Sequence, residues 1–223
     1  MAANVDVTCV FREAMDVAEV LQELQGNGRH AGIKRMFSMD NWRWEGRREV
    51  QDLSEVRGLL RDQRIIVVNA HVDPFRDFGF YLEKNGDKYV HDFWIDTEGF
   101  PELDSDIIQP QNRWFYDRLQ DAVNPFLERH ASDFELLSAG VETVLSYRGN
   151  AADTIRATEG VVLWMVPGRT GQGIDLQGYR RKIINGVATF RKEKFDSGED
   201  PAAFEQKQTI KGEKRFTLGD PWR

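Results

Sequence analysis

Residues 78–95 read FGFYLEKNGDKYVHDFWI. Apolar and polar residues alternate on both sides of Asn85-Gly86, which is the pattern of two half-buried strands. Asn and Gly both tolerate positive φ, so the pair predicts a two-residue type I′ turn between strands Phe78–Lys84 and Lys88–Ile95. This stretch therefore predicts a β-hairpin and, with it, a largely antiparallel sheet.

The same signal recurs towards the end of the chain. Asn185-Gly186 lies between the strand-like segments Tyr179–Ile184 and Val187–Phe195, and Lys211-Gly212 is a weaker version between Lys207–Ile210 and Lys214–Leu218. Further strands are predicted from their β-branched and apolar residues. These are Val5–Phe11, Arg64–Ala70, Val141–Tyr147 and Gly160–Val166.

Three helices are predicted from apolar residues at helical spacing. The first is Glu13–Leu24, which Gly26-Asn27-Gly28 would end, because Gly adopts the left-handed C-cap conformation without strain. A second, short helix follows Asp52 or Ser54, either of which can cap it. The third is Asn112–His130, where Pro125 is expected to kink the helix or end it.

The order of these elements predicts an α+β protein. We expect a mainly antiparallel sheet with hairpins at Asn85-Gly86 and Asn185-Gly186 and about three helices packed on it. A single domain over residues 1–223 is favoured, because the chain has no internal repeat and no low-complexity linker. The glycine-rich stretch 167–178 is a possible soft boundary before a C-terminal β-hairpin layer.

Composition excludes several classes of protein. Hydrophobic residues make up 40% of the 223 residues, which excludes a disordered chain. The single cysteine, Cys9, cannot form an internal disulfide and is expected to be a buried thiol in a reducing compartment. The start of the sequence lacks a signal-peptide pattern, and the apolar runs are too short to cross a bilayer. We therefore expect a cytoplasmic protein with no membrane association.

Charge is distributed unevenly along the chain. The net charge of −7 argues against nucleic acid as a partner. Residues 1–178 hold 19 Lys and Arg against 30 Asp and Glu, whereas residues 179–223 hold 11 against 7. The most acidic stretch, Asp92–Asp106, has six acids, three interleaved aromatics and neither Lys nor Arg.

We define Asp92–Asp106 as the acidic segment and predict that it docks on a basic partner. Its aromatic residues would anchor the contact, and its carboxylates would steer association. The residues expected to bind are Trp94, Asp96, Glu98, Phe100, Glu102, Asp104 and Asp106. The alternative is a solvated loop whose aromatic residues fill the core, with Phe93 and Ile95 on one face and Trp94 on the other. Binding of a divalent cation is a further alternative, although the calcium-loop spacing is missing.

A second, weaker candidate patch comprises Trp42 and Arg43, next to Trp44. An arginine beside tryptophan rings can form a cation–π cluster or line an aromatic pocket. The alternative interpretation is that these tryptophans form a corner of the hydrophobic core.

A metal site is the main enzymatic alternative. His71 and Asp73 follow the strand Arg64–Ala70, and together with His91 and Asp92 they could supply nitrogen and oxygen ligands. This pattern would suit a small metal-dependent hydrolase using His71, Asp73 and His91. The stretch Pro167–Gly173 lacks the ending of a phosphate-binding loop, and no nucleophile motif is present. The favoured interpretation includes no cofactor and no catalytic residue.

The order of features resembles that of some immunity proteins of bacterial polymorphic toxin systems. The resemblance rests on a first strand and acidic helix, then Trp42-Arg-Trp-Glu-Gly46, a leucine-rich helix at Leu53–Leu60, the strand Gly79-Phe80-Tyr81-Leu82 and the strand Gly160–Pro167. It covers about two thirds of the chain and does not extend to residues 179–223.

The resemblance implies a small cytosolic protein that occludes the active site of a cognate toxin. An acidic surface can imitate the phosphate backbone in the basic cleft of a nuclease toxin. Our first prediction is therefore a non-enzymatic, toxin-neutralising binding protein. The alternatives are the metal-dependent hydrolase and a structural subunit of a phage or injection-type assembly, whose hairpins would add strands to neighbours.

Overall fold

The computed structural model describes residues 3–25, 31–72 and 75–193. Their strands form one sheet of ten strands in the order β3-β2-β4-β5-β6-β1-β7-β8-β10-β9, and every neighbouring pair is antiparallel. The strands are β1 Asn4–Phe11, β2 Ala31–Met39, β3 Arg48–Glu49, β4 Ile65–Val72, β5 Phe75–Asn85, β6 Lys88–Asp96, β7 Phe134–Val141, β8 Val161–Pro167, β9 Arg180–Ile184 and β10 Val187–Arg191. The prediction of an α+β protein with a mainly antiparallel sheet is confirmed.

Five α-helices lie in the described residues, where about three were predicted. They are α1 Val17–Gln25, α2 Val56–Arg61, α3 Arg113–Arg129, α4 Ala151–Ala157 and α5 Gly168–Gln172. The two additional helices, α4 and α5, carry too few large apolar residues for a helical repeat to be visible in sequence, since α4 contains only Ile155 and α5 contains none. None of the helices in the described ranges is long and apolar enough to span a bilayer.

Helices α1, α2 and α3 cover one side of the sheet, which we call the helix face. Apolar residues at every second strand position point to this side and form the main core with the helices. In β1 these are Val5, Val7, Cys9 and Phe11, and the burial of Cys9 raises the pKa of its thiol. The predicted buried thiol is therefore present at the centre of the sheet.

We call the other side of the sheet the second face, and it carries two smaller apolar clusters. One cluster lies over β7, β8 and β10 and is covered by α4, whose Ala151 and Ile155 pack near Trp164 and Phe190. The other cluster lies over β2 and β4 and consists of Phe37, Met39, Ile65 and Val67, with Tyr81 and Trp94 packed against it. No helical residue of the described ranges belongs to this last cluster.

The two Asn-Gly hairpins differ in their turns. At Asn185-Gly186 the flanking pair is Ile184 with Val187, and both turn residues have positive φ (49° and 78°), as predicted for a type I′ turn. At the first hairpin the prediction was one residue off, because Asn85 itself pairs with Lys88. The turn residues there are Gly86 and Asp87, and only Gly86 has positive φ (64°), as in a type II′ turn. The hairpin predicted around Lys211-Gly212 lies outside the described residues.

The strand predicted at Val141–Tyr147 is wrong. The strand is Phe134–Val141, and the chain leaves the sheet at Glu142, whose φ of 47° is incompatible with an extended strand. Thr143 then folds back over Gly140, where a side chain would collide with it. Glycine, which has a low strand propensity, is thus needed at position 140, where the chain packs closely on itself.

The helix boundaries also differ from the prediction. Helix α1 begins at Val17 because the Asp16 carboxylate accepts the Ala18 backbone N–H at 2.8 Å and so caps it. Asp52 accepts the Ser54 N–H at 2.8 Å and caps a short 3₁₀ turn that precedes α2, as predicted. Pro125 lies inside α3, which continues to Arg129, so Pro125 does not end this helix.

The stretch 167–178 contains α5 and joins two neighbouring strands of the same sheet. Strands β8 and β10 pair directly, from Val187 with Pro167 to Arg191 with Leu163. Gly171 of α5 packs so closely on Ala188 of β10 that a side chain there would overlap the Ala188 methyl group. The C-terminal hairpin therefore extends the sheet.

The indole of Trp94 lies across Gly79 on the neighbouring strand β5. Gly79 and Trp94 are directly opposite in the β5–β6 ladder. A methyl group at Gly79 would overlap the Trp94 ring and lie 2.5 Å from the Val68 carbonyl oxygen. Glycine at position 79 is therefore required for the Trp94 ring to lie flat on the second face.

We predict that Gly79→Ala lowers the free energy of unfolding by about 2 kcal/mol, because the methyl group displaces the Trp94 ring and strains the β4–β5 ladder. Urea denaturation measures this change. Gly32→Ala in β2 is the matched control, since a methyl group there meets nothing within 4 Å. Equal destabilisation by the two substitutions would contradict the close Gly79–Trp94 packing.

Candidate functional site on the second face

Residues 40–47, which we call the tryptophan loop, project two indoles from the end of β2. Trp42 is 51% exposed and Trp44 is 47% exposed. The loop is closed by backbone hydrogen bonds from Asp40 N–H to the Glu45 carbonyl (2.9 Å) and from Trp44 N–H to the Asn41 carbonyl (3.0 Å). Asn41 adds two side-chain bonds, accepting the Arg43 N–H at 2.8 Å and donating to Glu45 at 2.7 Å. The loop is thus ordered by its own polar groups.

Arg64, which immediately precedes β4, holds this loop in place. Its guanidinium donates to the Ser38 hydroxyl (3.1 Å), the Asp40 carboxylate and the Gly46 carbonyl (2.5 Å). Gly46 has a φ of 58°, and a side chain there would collide with Asp40. The planar guanidinium can satisfy three acceptors at once, which a lysine ammonium could not do with the same geometry.

The tryptophan loop covers the apolar cluster over β2 and β4. The Trp44 ring packs on Phe37 with centroids 5.4 Å apart, and the guanidinium of Arg47 lies 4.3 Å from the Phe37 centroid. The cation–π cluster predicted around Arg43 is therefore built with Arg47, four residues further along. Arg43 is exposed.

Trp42 and Trp94 belonged to separate patches in the sequence prediction, and the structure brings them together. Both pack on Tyr81, with ring centroids 4.9 Å from Trp42 and 4.6 Å from Trp94. The Trp42 indole N–H also donates to the Glu83 carboxylate at 3.1 Å. A continuous aromatic surface therefore runs from the tryptophan loop across β5 to β6.

Three carboxylates border this aromatic surface, and we call Glu83, Asp92 and Asp6 the carboxylate row. They lie on β5, β6 and β1, on the second face. The register places Asp92 opposite both Tyr81 and Thr8, whereas Asp6 is opposite Trp94. The Thr8 hydroxyl donates to Asp92 at 2.9 Å.

The carboxylate row is partly desolvated, which raises its pKa values. Burial raises the pKa of Asp6 to about 7, with a further contribution from the charge of Asp92, and a backbone hydrogen bond from Thr143 opposes the shift. Burial and the charge of Glu83 raise the pKa of Asp92 to about 6, against the Thr8 hydrogen bond. Burial also raises the pKa of Glu83, although the Trp42 indole opposes it. Ionisation of these carboxylates therefore costs solvation free energy.

The remainder of the acidic segment divides between core packing and solvent. Phe93 and Ile95 face the main core and Trp94 the second face, as the alternation predicted. Phe100 also packs on the main core, with its ring 5.9 Å from that of Trp114.

The acids that follow β6 lie at the end of the sheet. Asp96 accepts the Glu98 backbone N–H at 2.8 Å, and Asp106 lies 3.5 Å from the Lys192 ammonium. Glu98, Asp104 and Asp106 are exposed, whereas Asp96 and Glu102 are partly exposed.

The structure does not bring His71 and His91 together. His91 is fully buried on the helix face, where burial lowers its pKa to about 3, and His71 is exposed. Asp73 lies outside the described residues. No group of three or more His, Cys, Asp or Glu side chains within the described ranges is arranged to hold a metal ion.

Comparison with other proteins yields no relative. No protein-family model, curated protein or solved structure matches the chain.

Asp6, Tyr81 and Glu83 are the site residues that the sequence analysis missed. Each alternates with apolar residues in its strand, so the pattern does place them on one side of the sheet. Tyr81 and Glu83 lie in the predicted first hairpin, beside Asp92 and Trp94. Asp6 joins them only because β1 lies beside β6, which begins more than 80 residues after Asp6, and no local pattern indicates that pairing.

We predict that Arg64→Gln increases amide hydrogen exchange in residues 40–47 by at least about tenfold, because two of the three clamping hydrogen bonds are lost. Exchange in β5 and β6 should change little. Hydrogen exchange read by mass spectrometry measures both regions. Arg61→Gln, on the exposed side of α2, is the control. Unchanged exchange in the loop would show that its own hydrogen bonds suffice.

We predict that Asp92→Asn stabilises the protein at pH 8 by about 3 kcal/mol but has little effect at pH 3.5. The pKa of Asp92 is raised from 3.8 in the unfolded chain to about 6 in the fold. The ionised carboxylate therefore destabilises the fold increasingly as pH rises between those values, and each pKa unit corresponds to ~1.4 kcal/mol. Urea denaturation across this pH range measures the effect, with the exposed Asp104→Asn as control. A pH-independent gain in stability would contradict this origin.

Proposed function

We propose that this chain is a non-enzymatic binding protein that neutralises a cognate bacterial toxin by occluding its active site. The observation that carries the proposal is the pair of half-exposed indoles, Trp42 and Trp44, held in an ordered loop. Tryptophan dominates protein-binding hot spots because it buries a large area with little loss of conformational freedom. An ordered loop also loses less entropy on binding than a mobile one.

Charge supports a basic partner for this surface. The chain carries a net charge of −7, and the carboxylate row lies directly beside the aromatic surface. A basic cleft, such as that of an enzyme that cuts nucleic acid, is complementary to such a surface in sign. Electrostatic steering would then accelerate capture of the toxin.

The resemblance to immunity proteins in the order of sequence features supports the same proposal. Two of those features have a clear structural role. The Trp42–Gly46 segment forms the tryptophan loop, and the strand that begins at Gly79 accommodates the Trp94 ring. The metal-dependent hydrolase would need His71 and His91 to converge, and one is exposed while the other is buried on the helix face.

The test is co-expression with the product of the adjacent gene. We expect the wild-type chain to restore growth of cells that express this toxin, and the purified pair to form a stable complex in size-exclusion chromatography. Failure of the wild-type chain to restore growth or to bind would overturn the proposal.

We predict that Trp42→Ser/Trp44→Ser weakens toxin binding by at least about 100-fold, since the two hot-spot residues together contribute about 3 kcal/mol or more. Isothermal titration calorimetry measures the affinity, and circular dichroism checks the fold. Val144→Ser is the control, because Val144 is also exposed (86%) but lies outside the tryptophan loop.

The acidic segment is tested separately with Asp96→Asn/Glu98→Gln/Glu102→Gln/Asp104→Asn. This variant could lose both affinity and the salt dependence of binding while the tryptophan variant binds normally. That result would place the interface at the end of β6 and not on the second face. The opposite result would assign binding to the tryptophan loop.

A further inference from the structure

The aromatic surface and the carboxylate row form one continuous feature across three strands. Trp42 bridges the two, since its ring packs on Tyr81 (4.9 Å) while its N–H donates to Glu83 (3.1 Å). Asp92 is the cross-strand partner of Tyr81, so the second carboxylate lies directly beside the central ring. A flat apolar surface and at least two carboxylates therefore border the same space on the second face.

The carboxylate row has no compensating cation in the part of the chain that the structure describes. Neither the pKa of Asp6 nor that of Asp92 is lowered by any described Lys or Arg, and other acids raise both. The polar groups that bind these carboxylates are neutral, namely the Thr8 hydroxyl, the Thr143 backbone and, for Glu83, the Trp42 indole. Keeping like charges together in a partly buried position costs free energy unless an opposite charge binds to them.

We propose that Trp42, Tyr81 and the carboxylate row receive an arginine side chain of the protein partner. This inference rests on the proposed function and specifies the chemistry of the partner at one point of the interface. A guanidinium is flat, so it can stack on the exposed face of Trp42. Its five N–H donors can bind two carboxylates simultaneously. It is also less strongly hydrated than an ammonium ion, which suits a partly buried position.

Arginine is favoured over lysine by the aromatic side of this site. A lysine ammonium could form ion pairs with the carboxylates but would stack poorly on a ring, because it has no planar face. The affinity of the site for lysine should therefore be lower than for arginine, whereas a simple acidic surface would not distinguish the two.

The experiment uses the full-length protein and derivatives of single amino acids as probes. N-acetyl-L-arginine methylamide is titrated into ¹⁵N-labelled protein, and the Trp42 indole N–H resonance is followed after assignment with Trp42→Phe. The corresponding citrulline and lysine derivatives are the comparison probes. Citrulline keeps the shape of arginine but has no charge.

We expect a saturable shift of the Trp42 indole resonance with a dissociation constant of about 1–10 mM for the arginine probe, as befits one side chain. Binding of the citrulline and lysine probes should be at least about tenfold and threefold weaker, respectively. Glu83→Gln/Asp92→Asn should weaken arginine binding at least about tenfold. Both substitutions remove repulsion, so this variant should remain folded. Glu98→Gln/Asp104→Asn carries the same change in charge elsewhere and should bind like the wild type.

The inference is overturned if the arginine and citrulline probes bind equally, if no saturable shift occurs, or if Glu83→Gln/Asp92→Asn binds arginine normally. It fails independently of the proposed function if the Glu83→Gln/Asp92→Asn variant restores growth and binds the toxin as well as the wild type does. Conversely, if the wild-type chain fails to restore growth but the probes behave as expected, the proposed function is wrong and the arginine site stands.

Discussion

Strand β1 holds the molecule together. It is the first strand in the chain, yet it lies between β6 and β7 and forms ladders with both, from Asn4 opposite Asp96 to Phe11 opposite Phe134. Without this strand the sheet would separate into one half of five strands and another of four. The paired residues are also far apart in sequence. The chain therefore loses conformational entropy in closing long loops before these contacts can stabilise it.

The alternation of residues within β1 gives the two faces of the sheet different roles. Val5, Val7, Cys9 and Phe11 contribute to the main core under the helices, whereas Asp6 and Thr8 point to the second face. Because side chains in a strand alternate strictly, the apolar positions that stabilise the fold also fix where the polar groups lie. The carboxylate row is thus as precisely placed as the core itself.

The sequence predicted the faces of the first hairpin better than its register. A turn centred on Asn85-Gly86 would place Gly79 opposite Asp92, whereas the observed turn at Gly86-Asp87 places it opposite Trp94. The two registers differ by two residues and so leave every side chain on the same face. The prediction that Trp94 and Phe93 face opposite sides is correct for this reason. The packing of Trp94 on Gly79 depends on the register itself, so the sequence did not predict it.

The sequence by itself determined the antiparallel class of the sheet, the type I′ turn at Asn185-Gly186 and the burial of Cys9, because these follow from alternation and from residues that tolerate positive φ. Only the tertiary structure decided that Trp42, Trp94 and Asp6 lie near one another, since they come from three strands or loops that are distant in sequence. It also decided that Phe134–Val141 is a strand. There the close approach of Thr143 and the Gly160 carbonyl leaves no room for a side chain at Gly140, and the ladders to β1 and β8 hold the strand despite its low local propensity for extended structure.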